Sequence, residues 1–233
     1  MCLKFSRLFS SILSFARIVC LSLRNLVDKY AYKPAIGFYR TISSDTIEFE
    51  YTTFSQLAEL TINCAGGLAF NKISTGDHII FYGFNSVEFF IVIWAACNQG
   101  LIPVPISPFL SAQACNFICT LTQARVLVIS PFHYSRMKRY LSTIPSLKFI
   151  LLLDKYFSDP IKINPTKESK EDISLTIPVY EFTSFIRTGQ LYRRQLRGPF
   201  VIESRDFDEL ACLFNAAGTT TFPNEEEEEI FHP

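Results

Sequence analysis

The chain has 233 residues, of which 48% are hydrophobic and 19% are charged. A chain of this length can bury a sizeable core, and its apolar content excludes a disordered protein. Its 22 Lys and Arg residues balance 22 Asp and Glu residues, so no net charge attracts nucleic acid. Basic and aromatic residues also follow no RNA-binding pattern, and we expect no nucleic-acid partner.

Residues 1–24 combine basic and long apolar side chains, and no acidic residue precedes Asp28. Arg17 interrupts the apolar run before it reaches the roughly 18–20 residues that a membrane-spanning helix needs. This composition is typical of an organelle presequence, an interfacial helix or a weak signal anchor, while an ordinary helix packed on the core stays open. We expect a membrane-associated or mitochondrial protein, with a cytoplasmic location if the segment is only a domain helix.

Seven cysteines occur in the chain, most of them inside apolar runs. An odd number in a chain of this size does not indicate a disulfide framework, so a reducing compartment is expected. Cys115 and Cys119 would share one side of a helix, but a zinc site needs two further ligands at a suitable spacing. We interpret both as small buried core residues. His78, His133 and His232 are not clustered, so neither a metal site nor a Ser–His pair is predicted.

From Ala35 onwards, short β-branched or aromatic runs alternate with segments of helical periodicity. This alternation predicts an α/β fold with a mostly parallel sheet and flanking helices. The runs at 36–40 and 46–52 are separated by polar turn residues and indicate a hairpin.

Thr53 and Gln56 have the spacing of a capping box, which predicts the start of a helix. Its apolar side recurs at helical spacing: Phe54, Leu57, Ala58, Thr61, Ala65 and Leu68. Gly66 and Gly67 lie on the same side, where their missing side chains permit close packing of two backbones.

A turn at Ser74–Asp77 leads into a predicted strand at 78–82, and Asn85 with Glu88 is predicted to cap the next helix. The apolar run in this helix has only nine residues, which favours a core helix over a membrane span. The segment at 101–106 is expected to be a short strand, and its two prolines place it at a sheet edge or at a strand terminus.

The second half of the pattern continues the alternation of helices and strands. Ser111 is predicted to begin a helix, and residues 125–130 and 148–154 have the composition of buried strands. A helix around Met137–Leu141 is predicted to connect these strands. Residues 157–173 are rich in proline and charged residues, so we expect a surface loop.

The order and spacing of these elements resemble the N-terminal part of the adenylate-forming (AMP-dependent synthetase/ligase) family. This family includes fatty-acid–CoA ligases, luciferases and peptide-synthetase adenylation domains. The resemblance begins near Leu26 and is strongest across residues 50–113. It implies that residues 25–224 form an incomplete AMP-binding large domain, preceded by the basic segment at 1–24 and followed by a divergent acidic tail at 225–233.

The segment at 206–224, DFDELACLFNAAGTTTFPN, resembles the ATP-phosphate loop of this family through Gly218, Thr219, Thr220 and Pro223. Glycine lets a backbone approach phosphate oxygens, and backbone N–H groups and hydroxyls donate hydrogen bonds to them. The resemblance therefore implies that Gly218, Thr219 and Thr220 contribute to binding ATP.

The same loop departs from the family at three positions. Ala217 stands where the family has serine or threonine, Thr221 where it has glycine, and Asn224 where it has lysine. A hydroxyl donor, a position of unusual backbone freedom and a cation are thus replaced. Five glutamates follow at 225–229, and their charge opposes binding of a triphosphate. We interpret the loop as degenerate and predict no catalytic residue and no metal ligand in this chain.

Two functional hypotheses follow from the resemblance. The first is an acid–CoA ligase that uses ATP and Mg²⁺ to convert a fatty or other carboxylic acid into an acyl-adenylate, and then CoA to form acyl-CoA. The family's later motifs are not found in these 233 residues, so the chain alone is expected to be inactive and to bind none of these cofactors tightly. The second is a non-catalytic isoform, pseudoenzyme or partner-binding module, with a protein partner covering exposed apolar surface.

Overall fold

The computed structural model of the protein describes four stretches of the chain: residues 25–43, 46–153, 177–196 and 212–213. The predicted basic segment at 1–24, the surface loop at 157–173 and the acidic tail at 225–233 lie outside these stretches. What the sequence indicates for these three segments stays a prediction.

The described residues alternate between helices and strands, as the sequence predicted. The strands are β1 (Pro34–Ser43), β2 (Thr46–Thr53), β3 (His78–Tyr82), β4 (Ile102–Ile106), β5 (Val126–Ile129), β6 (Phe149–Leu152) and β7 (Val179–Glu181). The helices are α1 (residues 25–30), α2 (Phe54–Phe70), α3 (Val87–Asn98), α4 (Ala112–Leu121), α5 (Pro131–Leu141) and α6 (Phe182–Gln195).

β1 and β2 form an antiparallel hairpin, which confirms the sequence prediction. Successive side chains of a strand point to opposite sides. Ile36 and Phe38 pack against the main core, whereas Tyr39, Phe49 and Tyr51 are exposed on the other side. The Phe49 ring makes edge-to-face contacts with both tyrosines, at centroid distances of 4.8 and 4.7 Å. Among the described residues, one side of the hairpin is therefore a row of exposed aromatic rings.

The other five strands form one sheet in the order β4-β3-β5-β6-β7. All four neighbouring pairs are parallel. This arrangement confirms the predicted α/β class, and it places β4 at an edge of the described sheet, one of the two positions that its prolines indicated.

The helix starts agree with the sequence at two places and differ at two others. The Thr53–Gln56 capping box of α2 and the Ser111 cap of α4 are present. The cap predicted at Asn85 is wrong, because α3 starts one residue later and the Ser86 hydroxyl accepts from the Phe89 N–H. α5 also starts earlier than predicted, with a proline in its first turn. No helix within the described residues is long and apolar enough to span a bilayer.

The sheet separates two hydrophobic clusters because its side chains alternate between its two faces. We call the side covered by α2, α3 and α6 the front face and the side covered by α4 and α5 the back face. The strands contribute Ile79, Phe81, Val126, Val128, Phe149 and Leu151 to the front face. They contribute Ile80, Tyr82, Leu127, Ile129 and Ile150 to the back face. Cys115 and Cys119 are fully buried in the back cluster, as predicted for small core residues.

α2 and α6 pack with their backbones in direct contact on the front face. A Cβ atom added to Gly189 would overlap the carbonyl oxygen of Asn63 and the backbone nitrogen of Gly67. A Cβ on Gly67 would lie 2.6 Å from the Phe185 ring. The Arg193 guanidinium also donates to the Asn63 side-chain oxygen at 2.5 Å. The close packing predicted from the glycines of α2 is thus present, and its partner is α6.

Candidate functional site

The strand order marks one edge of the sheet as the candidate site. β4 and β5 follow one another along the chain but lie on opposite sides of β3. In open α/β sheets, ligands bind outside the carboxyl ends of the strands where the order changes direction in this way. We call this region, formed by residues 83–86, 107–111 and 130–133, the carboxyl edge.

The loops after β3 and β5 touch at the carboxyl edge. The Ser130 N–H donates to the Tyr82 carbonyl at 3.3 Å. A Cβ on Gly83 would lie 3.1 Å from the Ser130 Cβ, so glycine permits this close approach. The two loops therefore form one surface rather than two independent turns.

His133 joins this surface to the loop after β4. Its side chain is fully buried, with Nε2 2.8 Å from the Pro108 carbonyl oxygen and Nδ1 2.7 Å from Ser130 Oγ. Because a carbonyl oxygen only accepts hydrogen bonds, we assign the proton to Nε2, and Nδ1 then accepts from the Ser130 hydroxyl. The imidazole thus connects two of the three loops of the carboxyl edge.

The surroundings of His133 keep it neutral. Burial lowers the pKa of His133 below its usual value, the hydrogen bond to Pro108 opposes this, and the nearby Arg136 lowers it further. Its ring also packs against Tyr82 at a centroid distance of 4.4 Å. α5 brings Ser130 and His133 together within its first turn, a hydrogen-bonded contact that the sequence did not predict. Both ring nitrogens bond within the chain, so we assign the pair a positioning role.

Tyr82 also holds the loop after β4 in place. Its hydroxyl donates to the Leu110 carbonyl at 2.6 Å, and its side chain is buried. Burial raises the pKa of Tyr82 to about 12, with the Cys115 thiol raising it and Arg136 lowering it. The phenol therefore stays protonated and keeps its hydrogen bond across the ordinary pH range.

Three phenylalanines form an aromatic rim around the carboxyl edge. Phe84 lies 6.1 Å from Phe109 and 6.3 Å from Phe132 between ring centroids. Phe109 is 86% exposed, so most of its ring faces outward. The Arg136 guanidinium lies over the Phe132 ring at 4.1 Å. The rim can therefore shield an apolar group, with one cation at its border.

The predicted phosphate-loop residues lie outside the described stretches: Ala217, Gly218, Thr219, Thr220, Thr221 and Asn224. Their roles stay predictions. The described residues nearest to them are Cys212 and Leu213, and the Leu213 N–H donates to the Pro103 carbonyl at 3.0 Å. Pro103 belongs to β4, so the segment that leads into the predicted loop contacts the outer side of this strand. β4 ends at the carboxyl edge.

The opposite end of β3 holds the turn at Ser74–Asp77. Asp77 accepts from the Ser74 N–H at 2.9 Å and faces Arg125 and Lys148 at 3.8 and 3.9 Å. A shallow cleft of about 490 Å³ opens beside this turn, next to Leu213. This cleft lies at the amino end of the strands and is distinct from the carboxyl edge. The described residues contain no group of three His, Cys, Asp or Glu side chains that could hold a metal ion.

One family model matches this sequence, and it covers most of the chain. The model for the AMP-binding enzyme family matches residues 25–223. No curated protein sequence is significantly similar to the chain. The family match therefore spans all of the described residues.

Several solved structures share the fold. Coronafacic acid ligase from Pectobacterium brasiliense is 19% identical, with a TM-score of 0.62 over 84% of this chain. An anthranilate CoA ligase in complex with anthranoyl-AMP is 17% identical, with a TM-score of 0.55 over 72%. A long-chain-fatty-acid-CoA ligase from Archaeoglobus fulgidus is 18% identical, with a TM-score of 0.54 over 73%. The chain spans only 33%, 27% and 30% of these three proteins, in the same order.

Proposed function

Because this chain belongs to the AMP-binding enzyme family, we propose that it corresponds to the N-terminal part of an acid–CoA ligase. The reaction of such a ligase joins a carboxylic acid to AMP with release of pyrophosphate, and then transfers the acyl group to CoA. The observation that carries this proposal is the family match across residues 25–223. The strand order supports it, since β4 and β5 lie on opposite sides of β3 and ligands of open α/β sheets bind outside the strand ends at such a point.

We propose that the acid is apolar. The aromatic rim of Phe84, Phe109 and Phe132 supports an aliphatic or aromatic group near the carboxyl edge. Burial of such a group against exposed rings is favourable at about 25 cal/mol per Å² of apolar surface. The similar structures include ligases named for a long-chain fatty acid and for anthranilate, and both acids carry an apolar part.

The predicted phosphate loop does not fit tight binding of ATP. Gly218, Thr219 and Thr220 retain donors for phosphate oxygens, but Asn224 supplies no positive charge. The five glutamates at 225–229 add repulsion close to the loop. For this reason we derive no step through ATP or Mg²⁺, and we propose that the 233-residue chain alone is not a catalyst. A non-catalytic isoform or binding module is the second candidate, and these departures favour it.

The proposal is tested in two forms of the protein. For the chain itself, we expect no acid-dependent exchange of pyrophosphate into ATP and no acyl-CoA, with or without the changes Ala217→Ser, Thr221→Gly and Asn224→Lys. Turnover by this chain in a preparation free of host ligases would overturn the non-catalytic interpretation.

The second form is a chimera in which residues 25–224 replace the matching part of an active acid–CoA ligase. With the native loop we expect adenylation to fall at least about 100-fold, the usual effect of losing one donor to developing charge. The three loop changes should restore most of this loss. A folded chimera that stays inactive after repair would contradict the assignment of this region to a ligase.

We also propose that residues 1–24 direct the chain to a membrane or to mitochondria. Their basic and apolar composition supports this, as does the absence of acidic residues before Asp28. A fluorescent reporter fused after residue 24 should show the corresponding pattern in cells. A uniform cytosolic signal would indicate that the segment is an ordinary domain helix.

We propose that a protein partner covers the exposed aromatic side of the hairpin. Tyr39, Phe49 and Tyr51 are 70%, 47% and 55% exposed and lie in one row. Contiguous exposed apolar surface favours association. The isolated chain should therefore self-associate in sedimentation experiments, and Tyr39→Ser with Tyr51→Ser should reduce this. Monodisperse wild-type chain at high concentration would contradict the proposal.

A further inference from the structure

Residues 89–153 contain no aspartate or glutamate, although they make up more than a quarter of the chain. This stretch includes all of α4 and α5, the two helices that cover the back face. Its basic residues are Arg125, Arg136, Lys138, Arg139 and Lys148. The first and last of these face Asp77 near the amino end of β3, and the other three lie on α5. The helical layer of the back face therefore carries positive charge and no carboxylate of its own.

Aromatic rings on α5 support its arginines at the surface. Arg136 and Arg139 are exposed. The guanidinium of Arg136 lies over Phe132 at 4.1 Å, and that of Arg139 lies over Tyr140 at 5.4 Å. A ring beneath a guanidinium holds it in place and leaves its outward N–H groups accessible. Both cations are thus positioned to meet an anion that approaches from outside.

The neighbouring helix contributes apolar surface. Phe117 and Leu121 are one turn apart on α4 and are 53% and 70% exposed. The Thr143 hydroxyl donates to the Asn116 side chain at 3.1 Å, which joins α4 to the end of α5. One helical layer therefore presents large apolar side chains together with the exposed arginines of α5.

We propose that this surface of α4 and α5 binds a bilayer that contains anionic phospholipid. Arg136 and Arg139 would contact headgroup phosphates, while Phe117 and Leu121 would enter the boundary between headgroups and acyl chains. A bilayer satisfies both features at once, because it offers dense negative charge above an apolar layer. Nucleic acid would match the charge alone and would leave the exposed leucine without a favourable partner. The proposal depends neither on the ligase assignment nor on residues 1–24.

The first experiment measures partition of the full-length chain onto phosphatidylcholine vesicles with and without phosphatidylserine. Arg136→Gln with Arg139→Gln should weaken binding to the anionic vesicles by about 25-fold, at roughly fivefold for each cation near the surface. The matched control is Arg187→Gln with Arg194→Gln, which removes two exposed arginines from α6 on the front face. Arg136→Lys with Arg139→Lys keeps the charge and should keep the binding. Circular dichroism confirms that each variant is folded.

The second experiment distinguishes this surface from residues 1–24, which could bind vesicles independently. The chain has one tryptophan, Trp94, so Trp94→Phe gives a background without this fluorophore. In that background, the tryptophan fluorescence of the Phe117→Trp variant should be quenched by brominated lipid in anionic vesicles. Phe70→Trp is the control, because Phe70 on the front face is 51% exposed and thus matches Phe117.

The proposal is supported if the Trp at position 117 is quenched and the Trp at position 70 is not. It also requires that the Arg136→Gln with Arg139→Gln variant loses vesicle binding while the control arginine variant keeps it. Equal binding by the two glutamine variants overturns it, and so does bound protein without quenching at position 117. Retention on DNA or on an acidic peptide without binding to vesicles would assign the surface to another anion and would also overturn it.

Discussion

The two faces of the sheet are stabilised in different ways. On the front face, α2 and α6 touch through Gly66, Gly67 and Gly189, and no space remains for another atom. On the back face, buried polar groups of Tyr82 and His133 hold the loops through hydrogen bonds to carbonyl oxygens. The front face therefore depends on the absence of side chains, and the back face depends on the presence of particular ones. Substitutions that add atoms should therefore destabilise the front face most. Substitutions that remove a hydrogen-bond partner should destabilise the back face most.

The largest effect is expected for Gly189→Ala on the front face. Alanine in place of glycine usually stabilises a helix by roughly 0.5–1 kcal/mol. Here the added methyl group meets the backbone of Asn63 and Gly67, so α2 and α6 must move apart. We expect the free energy of unfolding to fall by about 3 kcal/mol, measured by urea denaturation. Arg187→Ala on the exposed side of the same helix is the control, and an equal loss there would show that the contact between glycines is unimportant.

A smaller effect is expected for His133→Leu on the back face. Leucine fills a similar volume but leaves the Pro108 carbonyl oxygen and the Ser130 hydroxyl without their partner. A buried polar group without its hydrogen bond costs about 1–3 kcal/mol, so we expect a loss of about 2 kcal/mol at neutral pH. Met137→Leu is the control, because Met137 is equally buried on α5 and belongs to the back hydrophobic cluster. Similar losses of unfolding free energy in the two variants would show that His133 contributes through packing and not through its hydrogen bonds.

The protonation of His133 adds a pH dependence with a definite sign. Its pKa in the folded chain lies below the ordinary value of 6.5, so the unfolded chain binds the proton first as the pH falls. The stabilising contribution is complete above about pH 6.5 and declines as the pH falls through the folded pKa. The melting temperature of the wild type should drop with acidification more than that of His133→Gln. Because burial also lowers the pKa of His78, a parallel His78→Gln variant separates the two contributions.

The smallest effect should be the same on both faces. Ser86 caps α3 on the front face and Ser111 caps α4 on the back face, with hydroxyl-to-nitrogen distances of 3.2 and 3.1 Å. Removing such a cap costs about 1 kcal/mol wherever the helix packs. Ser86→Ala and Ser111→Ala should therefore lower the free energy of unfolding by similar amounts in the same urea experiment. A marked difference between the two losses would mean that the contribution of a cap depends on how its face is packed.

Local patterns in the sequence predicted the elements whose causes are themselves local. The hairpin and the Thr53–Gln56 capping box each depend on residues close together in the chain. The prolines of β4 narrowed its position to a sheet edge or a strand terminus, and the strand order decided between them. The start of α3 was missed by one residue because Asn85 and Ser86 are both good caps, and only the backbone geometry selects between them.

Contacts between distant segments were beyond the reach of these patterns. The glycines of α2 indicated close packing, but their local pattern could not identify the partner Gly189, which lies far away in the chain on α6. The Ser130–His133 pair was missed because the start of α5 was placed too late. Recognising Pro131 as the first residue of a helix would have put Ser130 and His133 in one turn. The predicted phosphate loop is untested, since only Cys212 and Leu213 near it are described.

The two prolines of β4 remove hydrogen-bond donors from the outer border of the sheet. The Ile102 N–H points inward to the Asp77 carbonyl, so Pro103 and Pro105, at alternate positions, face outward. Neither has an N–H, and at these two positions the border can only accept hydrogen bonds. Two copies of the chain brought together along β4 would set carbonyl against carbonyl, which disfavours aggregation by sheet extension. A segment that presents its own N–H groups can still hydrogen-bond to this border, as the Leu213 N–H does with the Pro103 carbonyl.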